Sequence, residues 1–186
     1  SVTSIGSGAF SETGVIKDES NWEDGVLYIN NCLIKAKTEI KGAYTIKEGC
    51  RVIADNAFGE CDKLSSVTIP NSVTHIGSSA FSGCRQLSSI TLPGSVTNIG
   101  QYAFSGCRGL TVIAIPNSVM NIGDYAFSGC SGLTSITIPS SVTSVGNRAF
   151  RNCLFAKDNF INHSSLSAEE NNYWEAKIVE KEFNGL

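Results

Sequence analysis

Cys61, Cys84, Cys107, Cys130 and Cys153 stand 23 residues apart, and the apolar residues between them keep the same step. One column holds Leu64, Leu87, Leu110 and Leu133, the next Val67, Ile90, Ile113 and Ile136, and a third Ile69, Leu92, Ile115 and Ile138. Pro70, Pro93, Pro116 and Pro139 follow at once. Then come Val73, Val96, Val119 and Val142; Ile76, Ile99, Ile122 and Val145; and Gly77, Gly100, Gly123 and Gly146. The last columns are the pairs Ala80-Phe81, Ala103-Phe104, Ala126-Phe127 and Ala149-Phe150. A period in the twenties specifies a solenoid, because a unit this small cannot bury its own apolar side and must bury it against its neighbours.

Inside one repeat, Leu64-x-x-Val67-x-Ile69 alternates as a half-buried strand does, and Pro70, which has no amide to donate, ends it. Stacked at about 4.8 Å, these strands make one parallel sheet. Val73, Ile76, Ala80 and Cys84 hint at a helical face, but Gly77 interrupts it and the gaps are Ser, Thr and Asn, which compete for backbone hydrogen bonds. The pattern therefore predicts an extended bend followed by a single helical turn at Ala-Phe-Ser-Gly-Cys. The glycine column is expected where a Cβ would clash or where φ must be positive.

The register divides the chain. Residues 1–10 read as a truncated half repeat, since Ser1 to Gly6 and Ala9-Phe10 match Ser141 to Phe150, and the chain is expected to be a piece of a longer protein. Residues 11–40 break the period. Within them, Val26 to Ile29 and Cys32 to Ala36 read as two strands joined by Asn30-Asn31, so this segment is expected to be a hairpin insertion. Residues 41–153 hold five repeats, the first divergent with Cys50 in the valine column. Residues 154–186 form a non-repeat tail or second insertion. There, Glu170 to Glu175 and Asn184-Gly185-Leu186 loosely echo Glu19 to Leu27.

The pattern L-x-x-I-x-I-P-x-S-V-x-x-I-G-x-x-A-F-x-x-C, as in Leu133 to Cys153, resembles the BspA-like leucine-rich repeats of bacterial surface proteins. The resemblance covers residues 41–153 and, in part, 1–10. It departs at Cys50, at Ala54 in the glycine column, and at Arg151-Asn152 where Ser-Gly is usual. The likeness implies a right-handed leucine-rich-repeat solenoid of the α/β horseshoe superfamily, β-rich, with 23-residue repeats, one parallel sheet and short helical turns. It also implies a secreted or cell-surface protein that adheres to host matrix proteins or other cells, without naming a ligand.

Charge excludes some functions. Leu64 to Cys153 carry four arginines (Arg85, Arg108, Arg148, Arg151) and one acid, Asp124, which leaves −6 on the flanks of a chain whose net charge is −3. Dispersed arginines are too thin a footprint for nucleic acid. No apolar run reaches the roughly 18 residues needed to cross a bilayer. The five spaced cysteines of this seven-cysteine chain are explained as a small apolar column, packed as free thiols rather than disulfides. A linear column also cannot converge four ligands on zinc, so no metal or cofactor is expected. His75 shares its column with Asn98, Asn121 and Ser144 and reads as solvent-facing, and the serines are repeat positions without a base beside them. No catalytic constellation is visible, so the chain reads as non-enzymatic.

Binding is left to the outward columns. Between and beside the inward strand residues lie Ser66 and Thr68, Ser89 and Thr91, Val112 and Ala114, and Ser135 and Thr137, which line the sheet surface. A second ridge sets Tyr102 beside Tyr125 and Arg148, residue types enriched in binding hot spots. The expectation is an adhesion or protein-interaction module that takes a protein or glycan ligand, host extracellular matrix among them, through the repeat surface. The alternative is a structural spacer within a larger surface protein.

Overall fold

The computed structural model describes residues 2–156, 159–166 and 177–179. The echo around Glu170 to Glu175 and Asn184 to Leu186 lies outside these residues. Residues 41–153 wind into stacked coils whose partners sit 23 residues apart: Ser66 opposes Ser89, His75 opposes Asn98, and Asn121 opposes Ser144, all in parallel.

The strand foreseen at Leu-x-x-Val-x-Ile is present as a parallel sheet of Gly42–Thr45, Leu64–Thr68 and Ser89–Thr91. Further along the same face Ile136–Ile138 pairs with Phe160–Asn162. A second and longer sheet occupies the stretch read from the sequence as an extended bend. It runs through the two-residue strands Val52–Ile53, His75–Ile76, Asn98–Ile99, Asn121–Ile122 and Ser144–Val145. At its far end an antiparallel hairpin, Val26–Ile29 and Cys32–Ala36, turns at Asn30 with φ +51° and lays its second strand parallel to Val52–Ile53.

Between the sheets, tight turns stand where a helical turn was foreseen. Ala80 N–H donates to the Gly77 carbonyl and Ser82 N–H to that of Ser79, each three residues back. Other amides point to the next coil: Ser79 to Gln101, Phe81 to Ala103 and Gly83 to Ser105, at 2.7–2.8 Å. With Ser79 at φ +55° and Gly83 at +75°, the backbone leaves the helical region twice in five residues. Stacking the coils thus takes the hydrogen bonds that a helix would have used.

The interior is a set of ladders. Phe58, Phe81, Phe104, Phe127 and Phe150 are fully buried, with successive centroids 5.2–5.5 Å apart and planes within 7°. Tyr44 tilts onto one end, and Phe155 and Phe160 meet the other edge-on or nearly so. Each fully buried Val, Leu, Ile or Phe is worth roughly 1.5–3 kcal/mol before ordering entropy is subtracted. A serine column ties the coils together, Ser95, Ser118 and Ser141 donating to the carbonyls of Val73, Val96 and Val119 at 2.6–2.8 Å. At the divergent first coil, where Cys50 replaces valine, the buried Ser72 hydroxyl makes no such bond.

Cysteine forms a parallel ladder. The thiols of Cys84, Cys107, Cys130 and Cys153 donate to the carbonyls of Phe58, Phe81, Phe104 and Phe127 at 3.0–3.1 Å, and all seven cysteines are free. Burial pushes the Cys61 thiol from 9.0 up to about 11 and Cys107 up to about 12. Burial also raises Cys84, and a hydrogen bond with Cys153 followed by burial raises Cys130. Because the folded thiols hold their protons more tightly than unfolded ones, their contribution to stability is complete below pH 9 and declines as pH climbs through the interval up to about 12. Ellman's reagent at pH 8 is therefore expected to leave the five column thiols unreacted in the native chain and to titrate all seven after unfolding without reductant. Fewer than seven, with disulfide-linked peptides in the mass spectrum, contradicts the free-thiol ladder.

Candidate functional site

The inward strand residues fix where the others point. Val67, Ile90, Ile113 and Ile136 are buried, so their neighbours in the strand must face outward. Thr68, Ser89, Thr91, Val112, Ala114 and Thr137 are exposed, and Ser66 and Ser135 half-buried. Two columns result. Ala43 and Thr45 pair with Ser66 and Thr68, which pair with Ser89 and Thr91. The 23-residue step then passes through Val112 and Ala114 to Ser135 and Thr137.

The face is not uniform. Regular pairing ends at Ser89–Thr91 and resumes at Ile136–Ile138, with Val112 bridging Ser135 singly between them. Here the columns change from hydroxyls to Val112, 58% exposed, and Ala114. Thr137 lies opposite Ile161, itself 42% exposed. Val112, Ala114, Asn159 and Ile161 enclose a groove of about 310 Å³ floored by Ser135 and Thr137. Asn159 Nδ2 donates to the Thr134 carbonyl at 3.4 Å. Sequence reading missed Asn159 and Ile161, because they follow the last periodic coil and join the column at a step of 24 rather than 23.

The tyrosine ridge occupies a different edge. Asn56, Ser79, Tyr102, Tyr125 and Arg148 all hold φ of +55° to +56°, a region comfortable for asparagine and costly for bulky side chains. The Tyr102 and Tyr125 rings stack at 4.8 Å, and Arg148 donates to the Tyr125 hydroxyl at 2.9 Å. The structure brings these two tyrosines together but not with the sheet columns, from which they are separated by the buried Cys and Leu columns of the same coil.

A larger cleft of about 700 Å³ lies between Ile5, Phe10, Ile16 and Trp22 on one side and Ile34 to Glu39 with Ala54 to Asn56 on the other. Its lysines are engaged. Lys35 Nζ donates to the Asn56 carbonyl at 2.8 Å, burial lowering its pKa, while Lys37 pairs with Glu19 and sits over the Trp22 ring. Two acids serve the coils: Asp55 and Asp124 accept from the amides of Ser78 and Asn147 on the next turn. His75 is half-buried with Nδ1 3.0 Å from the Thr74 hydroxyl, and His163 is exposed. Among the described residues no three His, Cys, Asp or Glu side chains gather as a metal site, and no helix is long and apolar enough to cross a membrane.

Stacked 23-residue coils, their outer sheet face uncovered among the described residues, define a repeat solenoid. The chain belongs to the BspA-type leucine-rich-repeat family, six copies of whose repeat match residues 28–157. It is similar to a leucine-rich cell surface protein from Faecalibacterium prausnitzii, 33% identical, with a TM-score of 0.66 over 81% of this chain and 42% of that one. A leucine-rich-repeat protein from Bacteroides ovatus is 31% identical, with a TM-score of 0.59 over 75% of this chain and 39% of the other. The pneumococcal vaccine antigen PcpA, 17% identical with a TM-score of 0.62 over 88% of this chain and 49% of that one, shares the fold. The chain thus spans less than half the length of these proteins. No curated protein sequence matches it.

Proposed function

We propose that this chain is a non-enzymatic adhesion or protein-interaction module of a secreted or cell-surface protein, binding a host or cell-surface macromolecule, protein or glycan, through its repeat surface. The observation that carries the reading is the pair of outward columns from Ser66 and Thr68 to Ser135 and Thr137. They hold small side chains in register on a sheet face that no other part of the described chain covers. Interior positions are used up in the ladders, whereas these outward ones contribute little to stability and are free to specify a partner. The cell-surface description of the Faecalibacterium protein supports the location.

Capture from extracellular matrix and serum by the immobilised chain tests it. Thr91→Glu and Ala114→Glu are expected to leave the circular dichroism unchanged and to weaken capture at least several-fold, as charge burial in a contact does. No captured partner favours the spacer, and capture lost only on deletion of residues 11–40 moves the site to the hairpin and the cleft beside it. The tyrosine ridge is the second reading, favoured by one observation: two tyrosines held at left-handed positions that suit asparagine. Capture abolished by Tyr102→Ala and Tyr125→Ala, but not by the sheet substitutions, selects it.

A further inference from the structure

The outer face changes character at one place, and the change coincides with an excess of positive charge. Across Leu64 to Cys153 the only acid is Asp124, which lies beyond the buried Ile122 and is occupied with the Asn147 amide. Arg85 and Arg108 are both exposed, on adjacent coils joined by the Gly109 amide to the Arg85 carbonyl at 2.9 Å. They stand four residues before Ser89 and Val112, and the coil of Arg108 supplies the Val112 and Ala114 wall of the groove. Asp62 precedes Arg85 in that column, but neither arginine makes an ion pair with it within 4.0 Å; the salt bridges among the described residues all involve lysines of the first 47 residues. Ser131 follows Arg108, so the column places no acid opposite it on the next coil.

An apolar groove on a face that two exposed arginines of adjacent coils lead into has a definite complement. We propose that the groove bounded by Val112, Ala114, Asn159 and Ile161 takes one large apolar side chain of a protein partner, while an Asp or Glu carboxylate of the same segment lies across Arg108 and Arg85. The inference rests on the sheet-face reading above and narrows it to an acidic, apolar protein segment. Two strand spacings, about 9.6 Å, separate the walls on either side of the Ser135 and Thr137 floor, wide enough for an aliphatic or aromatic side chain to enter between them. Filling it removes Val112 and Ile161 from water, and the floor hydroxyls remain able to bond the partner's backbone. Arginine's planar fork suits a carboxylate, and the positive balance of Leu64 to Cys153 steers an anionic segment toward this face.

The test pans a displayed library of random heptapeptides against the immobilised chain. The expected result is enrichment of sequences that combine Asp or Glu with Leu, Phe or Trp. Binding of the enriched peptides is expected to fall about tenfold or more in a Val112→Ser, Ile161→Ser double variant and in Arg108→Glu, and to survive Asn71→Lys at an exposed turn outside the sheet columns, with circular dichroism unchanged throughout. Peptides that lose binding with Thr68→Lys but keep it with the groove variants overturn the groove assignment and leave the sheet-face reading standing. Peptides indifferent to every variant overturn both. Basic peptides, or no enrichment, overturn the acidic-partner proposal, and matrix capture that remains sensitive to Thr91→Glu then shows that the wider reading survives.

Discussion

Replacing Phe104 with alanine is expected to cost about 3–5 kcal/mol, read as a large drop in the denaturant midpoint. The ring is fully buried and lies between Phe81 and Phe127, with centroids 5.3 Å away on either side. Each neighbour is held in its own coil by inter-coil bonds, Phe81 N–H to the Ala103 carbonyl and Phe127 N–H to the Ala149 carbonyl. The walls of the cavity therefore cannot close, and a solenoid transmits the loss because each coil is stabilised only by its neighbours. Phe10, half-buried and outside the stack, is expected to cost clearly less on the same change. Equal losses contradict the ladder as the main stabilising feature.

Gly100→Ala is expected to be nearly as damaging, at about 3 kcal/mol or more, for the opposite reason. A Cβ there would stand 2.6 Å from the Gly77 carbonyl carbon and 2.7 Å from both the Gly77 oxygen and the Ser78 nitrogen. All three atoms are backbone, so the coils must part, stretching the Gly100 amide from the Ile76 carbonyl it meets at 3.0 Å. Gly123 and Gly146 meet the preceding coil in the same way, and the requirement passes down the column. Gly94 supplies the control. Nothing lies within 4 Å of its would-be Cβ and its φ is not positive, so Gly94→Ala is expected to change stability by no more than about 0.5 kcal/mol. A harmless Gly100→Ala contradicts the close approach of the coils.

Most of this architecture was legible because a repeat shows its contacts several times over. The spacing of Cys61 to Cys153 and of the Phe column announced which side chains stack, and the inward Val67 and Ile69 columns announced which faces point out. The second sheet was hidden. Its strands in the repeats are two residues long, as in Asn98 and Ile99, too short for alternation to register. Val73, Ile76, Ala80 and Cys84 have helical spacing interrupted at Gly77, which suggests a bend and one helical turn at Ala-Phe-Ser-Gly-Cys; what sequence spacing does not reveal is that the amides there bond to the next coil. On the candidate face the outward residues Ser66 to Thr137 were legible from strand parity alone. The groove was not, because its far wall is made by Asn159 and Ile161, which no longer follow the period.

Hydrogen exchange of the chain with and without its captured partner is the most direct test of the sheet face as the contact surface. The account predicts slowed exchange confined to residues 66–68, 89–91, 112–114 and 135–137, with the groove residues 159–161 included if the acidic segment is the ligand. Protection appearing instead at Tyr102, Tyr125 and Arg148, or within residues 11–40, with the sheet residues unchanged, contradicts it.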